Sequence, residues 1–373
     1  MLTSPGMSSS VRALKTPVRM GRTSTAVALG EAAILELQPR VGPLLQRLGF
    51  EPQVSEFLIQ YFVALGHFEH RCPIMVTITE DDELAAVVFA GQRRILGRRI
   101  GVVHLGACSE HDFYFGPPEK RDLFLALTVQ KLLSLRWAHS VDFTTDADQT
   151  EQVVHSLSSL PGIRCRRKPR TDRSTLWLGN SYESFLAGLG AGTRHNLRYY
   201  RRKAMGSNWR FASNLSLTEA NAALKHLVRY QRTSVHSWGD LRQLPAIMTT
   251  SGRPLLCGLY DASGQPLSVV IGWNDDRTTY LLTQLNHSAA EYNRASLSMV
   301  MRAFLISELI DSGIQKLTVI GGCGGNLRFY CWTERRHTVV VEKNGWLSKG
   351  YWLAANMRLK VLTQTGRVIV DGN

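Results

Sequence analysis

One stretch of the chain, residues 278–325, constrains the fold more than any other. It begins with a β-branched and apolar run that predicts a strand over 278–285. Apolar residues then recur at helical spacing across 297–310, and Gly313 follows where a helix commonly ends in glycine. Residues 316–320 predict a buried strand that leads into a glycine-rich loop. A strand, a helix and a strand of these lengths imply a right-handed parallel crossover, and hence an α/β fold.

The start of this predicted helix is chemically suggestive. A helix N-terminus has unpaired backbone N–H groups and carries partial positive charge. Asn293 or Ser296 can cap the helix, and Arg294 adds a full charge. The segment is therefore a candidate site for a phosphate or pyrophosphate. The alternative is an ordinary helix start, since most helix N-termini bind nothing.

Composition bounds the possible partners and domain number. The chain has 373 residues, of which 44% are hydrophobic, enough for two ordinary domains. A net charge of +14 favours anionic partners: nucleic acid, acidic lipid, polysaccharide or a phosphorylated cofactor. No apolar run approaches the ~18 residues of a membrane helix. The six cysteines are scattered without metal-site spacing, so we expect a cytoplasmic protein with no bound metal.

The chain divides into two series of predicted elements. Residues 1–30 are expected to be a disordered basic tail, followed by domains over 31–165 and 174–373 with a basic bridge between them. The two series match at an offset of roughly 180 residues, which indicates an internal duplication, with two unrelated α/β halves as the alternative. The predicted elements are helices over 32–48, 54–65, 119–138 and 181–189, and strands over 74–78, 84–90, 100–105, 141–144, 174–178, 255–260 and 267–273, besides those named above.

A strongly cationic helix is predicted over 193–203, with Thr193 as its cap. Leu197 and Tyr200 face inward, while Arg194 and Arg198 lie one turn apart on the same face. Few acidic residues are nearby in sequence. The helix is therefore either a solvated basic face or a surface that binds an anionic substrate or cofactor phosphates.

The run Thr-Arg-His-Asn-Leu-Arg at 193–198, preceded by Ser-Tyr-Glu-Ser-Phe-Leu at 181–186, resembles a known signature. It is similar to the S-x-R-x-N-L-R-R motif of the CelD/BcsL-type, BioF2-like acetyltransferases, which belong to the GNAT superfamily and are related to the FemAB peptidyltransferases. The similar order of elements extends over 174–333. The resemblance implies a tandem GNAT-like (acyl-CoA N-acyltransferase) fold, an α/β architecture with mixed sheets.

The same resemblance implies an activity and a site. The activity would be transfer of an acyl group from acyl-CoA, in particular acetyl-CoA, to an amine or hydroxyl of a small-molecule or glycan acceptor, such as a polysaccharide or cell-envelope precursor. Gln284 and Leu285 would lie beside the thioester, where two strands splay apart. The other implied residues are Asn293, Arg294, Ala295, Ser296 and Leu297 around the pyrophosphate. From the charge of the basic helix, Arg194, Asn196 and Arg198 are the candidates to bind the substrate, either an anionic acceptor or the donor's phosphates.

The chain departs from that family pattern at two positions. Ala295-Ser296 stands where the family usually has Pro-Gly at the start of the helix. The run at 329–332 stands where the family usually has Tyr-Lys, and the lysine is absent. Chemistry that depends on that lysine is therefore in doubt.

Acyl transfer needs a base, an oxyanion donor and an acid for the leaving thiolate. Tyr330 is the candidate acid, or else a packed core aromatic. His287 is a candidate base, or else a surface-loop histidine. Glu334 is a further candidate base, or else the ion-pair partner of Arg335 or Arg336.

Three functions remain open from the sequence. The first is the acyl-CoA-dependent transferase. The second is a FemAB-like transferase that uses aminoacyl-tRNA, which the basic charge would suit, and the third is a non-catalytic GNAT-like binding or scaffold protein.

Cys323 is a possible nucleophile, but no histidine is paired with it in the sequence. No GxSxG, HExxH or P-loop motif is present.

Overall fold

The computed structural model describes residues 22–50, 52–68, 71–95, 98–106, 113–170, 173–230, 241–320 and 322–344. Within these ranges the chain forms two mixed β-sheets with helices packed against them. The first half contains β1 Thr23–Leu29, α1 Glu31–Arg47, α2 Pro52–Phe68, β2 Arg71–Glu80, β3 Glu83–Ile95, β4 Arg98–Leu105, β5 Tyr114–Phe115, α3 Arg121–Ser134, β6 Ser140–Asp146, α4 Ala147–Ser158 and β7 Ile163–Arg170. The second half contains β8 Arg173–Trp177, α5 Tyr182–Ala187, α6 Ala191–Gly206, β9 Arg210–Ala212, α7 Leu217–Val228, α8 Leu244–Thr250, β10 Pro254–Tyr260, β11 Pro266–Asp275, β12 Thr278–Asn286, α9 Leu297–Asp311, β13 Lys316–Ile320, β14 Trp332–Thr333 and β15 Arg336–Lys343.

The two sheets have the same strand pattern. The first runs β1-β2-β3-β4-β6-β15-β7, with β5 beside β3, and the second runs β9-β10-β11-β12-β13-β8-β14. In each sheet the fourth and fifth strands are parallel and the other neighbours are antiparallel. Helices α3 and α9 provide the two parallel crossovers. The equivalent order favours the duplication over two unrelated halves.

The sixth strand of each sheet is supplied by the segment that follows the seventh strand of the other sheet. Strand β8, which follows β7, pairs with β13 and β14 in the second sheet. Strand β15, which follows β14, pairs with β6 and β7 in the first sheet. We call this arrangement the strand exchange. It ties the two sheets together covalently at two places.

Two predicted domain limits are corrected by this pairing. The interpretation that 174–373 belongs to one domain is wrong for β15, because Val339 and Val341 are fully buried in the core of the first sheet. The disordered tail predicted over 1–30 is wrong for β1, because all its residues pair with β2. Residues 1–21 lie outside the described ranges.

Helix α2 joins the two halves through an aromatic core. Phe62 stacks on Phe89 of the first sheet, with ring centroids 4.2 Å apart. Phe57 and Tyr61 contact Trp273 of the second sheet at 5.8 and 5.3 Å. Burial of each such ring stabilises the fold by on the order of 2–3 kcal/mol. This shared core fixes the second sheet against the first.

The N-terminal caps of two helices differ from what the sequence indicated: the cap predicted for α6 is wrong, and the cap of α7 was not predicted. Helix α6 begins after Gly190, so Thr193 is a buried residue of its first turn and not its cap. Helix α7 begins with a capping box in which Ser216 and Glu219 each bond the other's backbone N–H. The S-x-x-E pattern was readable in the sequence.

In the described part of the chain, no helix has both the length and the hydropathy to span a bilayer.

Candidate functional site

The second sheet opens between its two parallel strands. Backbone pairing of β12 with β13 ends at Leu281 and Val319, although β12 continues to Asn286. Beyond that point residues 283–286 pair only with β11, and β13 itself ends at Ile320. We call the space between 282–286 on one side, and Ile320 with residues 322–324 on the other, the β12–β13 gap. The resemblance implies that the two strands separate at this place, and the pairing of β12 with β13 ends there.

A β-bulge in β12 lies next to the point where its pairing with β13 ends. Ile271 of β11 pairs with Thr283, but the next residue, Gly272, pairs with Leu281, which leaves Leu282 unpaired as the extra residue. A Cβ on Gly272 would lie 1.9 Å from the carbonyl oxygen of Tyr280. Only glycine permits this approach of the two backbones. Bulges of this kind bend a strand and re-aim its side chains.

Arg302 of α9 spans the β12–β13 gap. Its Nε donates to Oε1 of Gln284 on β12 over 3.2 Å, and its Nη1 donates to the carbonyl oxygen of Gly324 beyond β13 over 3.0 Å. The same Nη1 lies 3.5 Å from Sγ of Cys323. A guanidinium ion therefore lies between two strands that no longer bond each other. It supplies positive charge where a carbonyl or thiolate of a ligand could accept hydrogen bonds.

The corresponding place in the first sheet is closed by side chains. Parallel strands β4 and β6 pair over Val102–His104 and Ser140–Asp142. At the last pair, His104 Nδ1 contacts Oδ1 of Asp142 directly. This contact joins the two strands at their last backbone pair, the counterpart of Leu281 and Val319 in the second sheet.

The start of α9 has an unusual backbone. Ser296, its N-cap, lies in the left-handed region with φ 51° and ψ 52°, and its side chain makes no cap hydrogen bond. The carbonyl oxygen of Ser296 accepts hydrogen bonds from the N–H groups of Met299 and Val300, the first bonds of the helix. The N–H groups of Leu297 and Ser298 come before these bonds, at the end of a helix where N–H groups have no partner within the helix. Left-handed geometry favours glycine, the residue that the resemblance places here.

Other residues implied at this helix start divide between core and surface. The Leu297 side chain is buried in the core of the second sheet. Ala295 lines a cavity of about 160 Å³ together with Lys203 and Trp209. The side chains of Asn293 and Arg294 lie outside the described part, so their assignment stays a prediction.

Gln284 and Leu285 point to opposite faces of β12. Gln284 contacts Arg302, and its Nε2 donates to Oδ1 of Asn286 over 3.1 Å. Leu285 is 4% exposed in the core between the two sheets. Of the two implied thioester neighbours, Gln284 presents its side chain to the gap and Leu285 packs away from it.

Tyr330 contacts the start of the basic helix. Its hydroxyl accepts a hydrogen bond from the N–H of Gly190 over 2.9 Å. Gly190 is the N-cap of α6, so the phenol oxygen lies at the positive end of that helix. The ring packs at the edge of the core of the second sheet. The residue thus combines packing with a polar contact, and its catalytic role stays a prediction.

His287 lies in an aromatic cluster and not on a surface loop. It is 5% exposed, with Tyr230 and Tyr292 ring centroids at 4.0 and 5.0 Å. Its Nδ1 accepts from the N–H of Ala289 over 3.2 Å, and its Nε2 lies 3.2 Å from Nε2 of Gln265. Because Nδ1 already accepts a hydrogen bond, a neutral His287 carries its proton on Nε2, and Gln265 can accept that proton only if its amide turns its oxygen towards the ring.

Glu334 has a partner that neither sequence alternative named. Its Oε2 lies 3.9 Å from Nη1 of Arg173 on β8, and both side chains are mostly buried. Arg336 instead faces Asp146, with Nε 3.5 Å from Oδ1. The predicted pairing with Arg336 is therefore wrong, because the strand exchange places Arg336 against β6. As a base, Glu334 stays a prediction.

Helices α5 and α6 form a cationic groove of about 670 Å³. Arg194 and Arg202 line it, and no carboxylate among the described residues makes an ion pair with either. Arg198 is paired with Glu183, which is an internal partner close in sequence. Asn196 lies on the same helix, half-buried. The groove therefore keeps unneutralised positive charge even after this internal pairing.

Arg201 has a packing role in the same groove. Its guanidinium lies 4.7 Å from the Tyr182 ring centroid and 5.3 Å from that of Phe304, and it donates to Ser307 over 3.3 Å. These contacts fasten α6 to α5 and α9. Cation–π pairs of this kind contribute about 0.5–2 kcal/mol each.

Two cysteines lie beside Arg302. A hydrogen bond from the Cys331 thiol, followed by the charge of Arg302, outweighs burial and lowers the pKa of Cys323 to about 7. The same hydrogen bond, with burial, raises the pKa of Cys331. Cys323 is thus the thiol that ionises first. In the described residues no group of side chains is arranged to hold a metal ion.

Comparison with solved structures defines the fold class. A scan against protein-family models finds no match, and a search of curated proteins finds no significant one. A tandem GNAT protein from the clavulanic acid biosynthesis pathway is similar at TM-score 0.52 and 8% identity, over 86% of this chain and 99% of that chain. The C-terminal domain of an Agrobacterium fabrum protein described as a lysylphosphatidylglycerol synthetase is similar at 0.53 and 11%, over 88% and 97%. FemX is similar at 0.50 and 8%, over 74% and 89%.

The chain therefore has a tandem GNAT fold, and the fold predicted from the sequence is confirmed. Identities near one in ten show the fold alone. The narrower resemblance to the CelD/BcsL-type acetyltransferases stays a prediction.

The sequence interpretation missed Arg302 as a site residue. Between Leu297 and Ser307 it is the only charged residue of an otherwise apolar helix. A lone charge on such a helix is costly unless it has partners, and that signal was available. The interaction of Cys323 with Cys331 was not visible, because the seven intervening residues do not indicate how the loop returns.

Proposed function

We propose that this protein is a GNAT-type acyltransferase, which moves an acyl group, acetyl in the simplest case, from acyl-CoA to an amine or hydroxyl. The observation that carries the proposal is the β12–β13 gap, bent open at the Leu282 bulge and spanned by Arg302. A narrow opening between two strands suits the thin, amide-containing arm of an acyl-CoA. Unpaired strand edges there would bond that arm as a further strand would.

The donor's phosphates belong at the start of α9 in this proposal. Backbone N–H groups of Leu297 and Ser298 would receive the pyrophosphate, with Asn293 and Arg294 assisting. Gln284 and Arg302 would face the thioester end of the gap. Attack of the acceptor on the thioester carbonyl places negative charge on its oxygen, which a guanidinium donor stabilises.

Proton transfer completes the proposed reaction. The acceptor loses a proton to a base, for which His287 and Glu334 are candidates, and the departing CoA thiolate takes a proton from Tyr330. The absent lysine of the family pattern is not needed in this scheme. Glu334 lies next to Arg173, the residue that pairs with Ile320 at the end of β13, so it lies at the same end of the sheet as the gap.

The acceptor is proposed to be anionic. The cationic groove of α5 and α6, with Arg194, Asn196 and Arg198, supports a small-molecule or glycan acceptor such as a polysaccharide or cell-envelope precursor. This is the acceptor class that the CelD/BcsL resemblance implies. A cytoplasmic location would give access to acyl-CoA.

Calorimetric titration with CoA and acetyl-CoA tests the donor. We expect saturable binding, weakened about tenfold or more by Arg302→Glu, since that change reverses the charge in the gap. Arg253→Glu is the matched control, because Arg253 is an exposed residue that pairs only with Asp276 at the far end of β10. Equal loss in both variants, or no binding by the parent protein, would reject the donor site.

A second candidate is a FemAB-like transferase that uses aminoacyl-tRNA. The cationic groove favours it, because unneutralised arginines bind phosphate backbones, and FemX shares the fold. Thermal protection separates the candidates. Protection by acetyl-CoA supports the first and protection by tRNA alone supports the second, whereas protection by neither supports a non-catalytic scaffold.

A further inference from the structure

Two tryptophans project from one face of the second sheet at its β8–β14 edge. Trp332 of β14 pairs with Thr175 of β8, and Trp177 lies two residues further along β8. Residues that are directly paired, and residues two apart on one strand, project from the same face of a sheet. Trp177 is 59% exposed and Trp332 is 60% exposed. The two rings are therefore diagonal neighbours at the sheet edge, and both face solvent.

The inner part of the same face is covered. The cross-strand row continues from Thr175 through Thr318 and Tyr280 to Trp273. Trp273 stacks on Tyr280, with ring centroids 4.9 Å apart, and contacts Phe57 of α2. Between this core and the edge, the buried hydroxyls of Thr175 and Thr318 bond each other over 3.0 Å. The polar groups under the edge thus have partners, and the tryptophan rings form its outer surface.

The turn before β14 adds a third exposed ring. A short 3-10 helix, Gly325–Tyr330, leads to β14, and its Leu327 and Tyr330 pack on the core of the second sheet. Residues three apart lie on the same side of a 3-10 helix, so Phe329 projects from another side. Phe329 is 70% exposed and precedes Trp332 by three residues.

Cations accompany these rings. We call Trp177, Phe329 and Trp332 the aromatic edge. Nζ of Lys316 lies 4.6 Å from the ring centroid of Trp177, and the guanidinium carbon of Arg328 lies 4.7 Å from that of Phe329. Each of these rings therefore has a cation against it and is still more than half exposed.

The charge around the aromatic edge is positive. The segments that carry it, 173–177 and 316–335, contain four basic residues and one acidic residue. The acidic residue, Glu334, is mostly buried and lies 3.9 Å from Arg173, so a cation offsets its charge. The edge thus combines apolar rings with net positive charge, which complements a surface that is anionic outside and apolar beneath.

We propose that the aromatic edge docks on the surface of a membrane that contains anionic lipid, with its rings inserted at the level of the headgroups and Lys316 and Arg328 against the lipid phosphates. Aromatic side chains favour that level of a bilayer, and each basic side chain near an anionic leaflet adds attraction. A protein partner fits less well, because the centres of protein interfaces are depleted in lysine. A nucleic acid is held mainly through many phosphate contacts, for which this edge has few cations. The docking is independent of the acyl-transfer proposal.

Sedimentation with vesicles tests the docking. The parent protein should bind vesicles of phosphatidylcholine with one third phosphatidylglycerol. A ring variant that combines Trp177→Thr, Phe329→Ser and Trp332→Thr keeps every charge and should bind at least about tenfold more weakly, because the inserted apolar area is lost. Threonine retains the strand preference at the two strand positions. Equal binding by both proteins would show that net charge alone attracts the protein, and no binding by the parent would reject the docking outright.

A matched control removes exposed apolar side chains elsewhere. Leu35→Ala, Leu123→Ala and Leu217→Ala together change exposed residues of α1, α3 and α7, and this variant should bind the vesicles as the parent does. An equal loss of binding in the control would overturn the proposal. So would a ring variant that loses binding to tRNA but not to vesicles, or a parent that is a dimer in solution while the ring variant is a monomer.

Fluorescence quenching observes the insertion in a variant that keeps aromatic rings. Vesicles of the same headgroups with brominated acyl chains quench tryptophans that enter the bilayer, so part of the parent's emission should be lost. Trp177→Phe combined with Trp332→Phe should fold and bind as the parent does, since phenylalanine also inserts, but should lose most of this quenching. Quenching that persists in this variant would place the inserted tryptophans elsewhere and overturn the proposal.

Discussion

The hydroxyl of Tyr330 accepts a hydrogen bond from the N–H of Gly190, 140 residues earlier, over 2.9 Å. This contact couples the proposed acid to the start of the basic helix. We expect Tyr330→Phe to lower stability by about 1 kcal/mol, because Gly190 loses its acceptor. If Tyr330 is also the acid, kcat should fall about 10²-fold or more. Urea unfolding and steady-state kinetics measure the two effects separately.

A double-mutant cycle isolates the contact. A Cβ at position 190 would lie 2.7 Å from the Tyr330 hydroxyl but 3.9 Å from the ring carbon that bears it. Gly190→Ala should therefore cost on the order of 1–3 kcal/mol in the parent, and clearly less with Tyr330→Phe, where the clashing oxygen is gone. Additive effects would show that the two residues do not meet in solution.

The backbone of Ser296 predicts a stabilising substitution. A non-glycine residue at φ 51° destabilises the fold by about 1–2 kcal/mol. Glycine avoids that strain but costs about 0.5–1 kcal/mol, because it loses more conformational entropy on folding. Ser296→Gly should thus raise the unfolding free energy by up to about 1 kcal/mol. Ser298→Gly is the control, since Ser298 is helical, and it should lower stability by a similar amount. Destabilisation by both changes, measured in urea, would contradict the left-handed assignment.

The cationic groove predicts a salt-dependent phenotype. Arg194→Ala combined with Arg198→Ala should raise the apparent KM for a charged substrate and flatten its dependence on salt, because two positive charges are removed from the groove. The fold should remain intact, since Arg194 makes no ion pair within the described part and the Arg198–Glu183 pair is largely exposed. Kinetics at several salt concentrations, with circular dichroism of both proteins, provide the measurement.

Arg201→Ala is the contrasting variant. Because Arg201 packs between Tyr182 and Phe304, its loss should lower the melting temperature. A double mutant at 194 and 198 that unfolds as readily would show that those arginines are structural too.

His226 predicts a dependence of stability on pH. Burial, and then the charge of Arg229, lowers its pKa, while Asp261 opposes them. The unfolded chain therefore binds a proton at His226 more strongly than the folded protein does. The free energy of unfolding is accordingly highest above about pH 6.5, the ordinary pKa of histidine, and it declines as pH falls towards the lower pKa of the folded protein. His226→Gln should flatten the decline in urea-unfolding free energy between pH 7.5 and 5.5. The same substitution at exposed His155 controls for loss of a histidine, and equal slopes in His226→Gln and the parent would refute the assignment.

Local periodicity made the crossover predictable. The helix predicted over 297–310 is Leu297–Asp311, the strand predicted over 316–320 is Lys316–Ile320, and Gly313 has φ 80° as a glycine C-cap requires. Each of these follows from residues within a few positions of one another. The bulge at Leu282 was not predictable, because a bulge has no reliable sequence signal. Gln284 and Leu285 then point to opposite faces as neighbours on a strand do, so the resemblance could not place both side chains at the gap.

Contacts between distant segments were not predictable. The run His-Thr-Val-Val-Val at 337–341 has the composition of a strand, but nothing in it says that it pairs with β6 of the first sheet. Glu334 similarly meets Arg173, far away in sequence. Arg302 was visible as a lone charge, yet its partners Gln284 and Gly324 come from two other elements. The site depends on such contacts, so its members could be named individually but not assembled.

The strand exchange has a consequence for the order in which the protein is made. A ribosome releases β6 and β7 long before β15, which belongs between them. While the second half is being synthesised, the first sheet has an open central position that exposes Val141 and Phe143, both buried in the finished protein. Domains of a nascent chain usually fold one after another from the N-terminus. Here the first sheet can close only after the second has been translated, so the two halves reach their native state together.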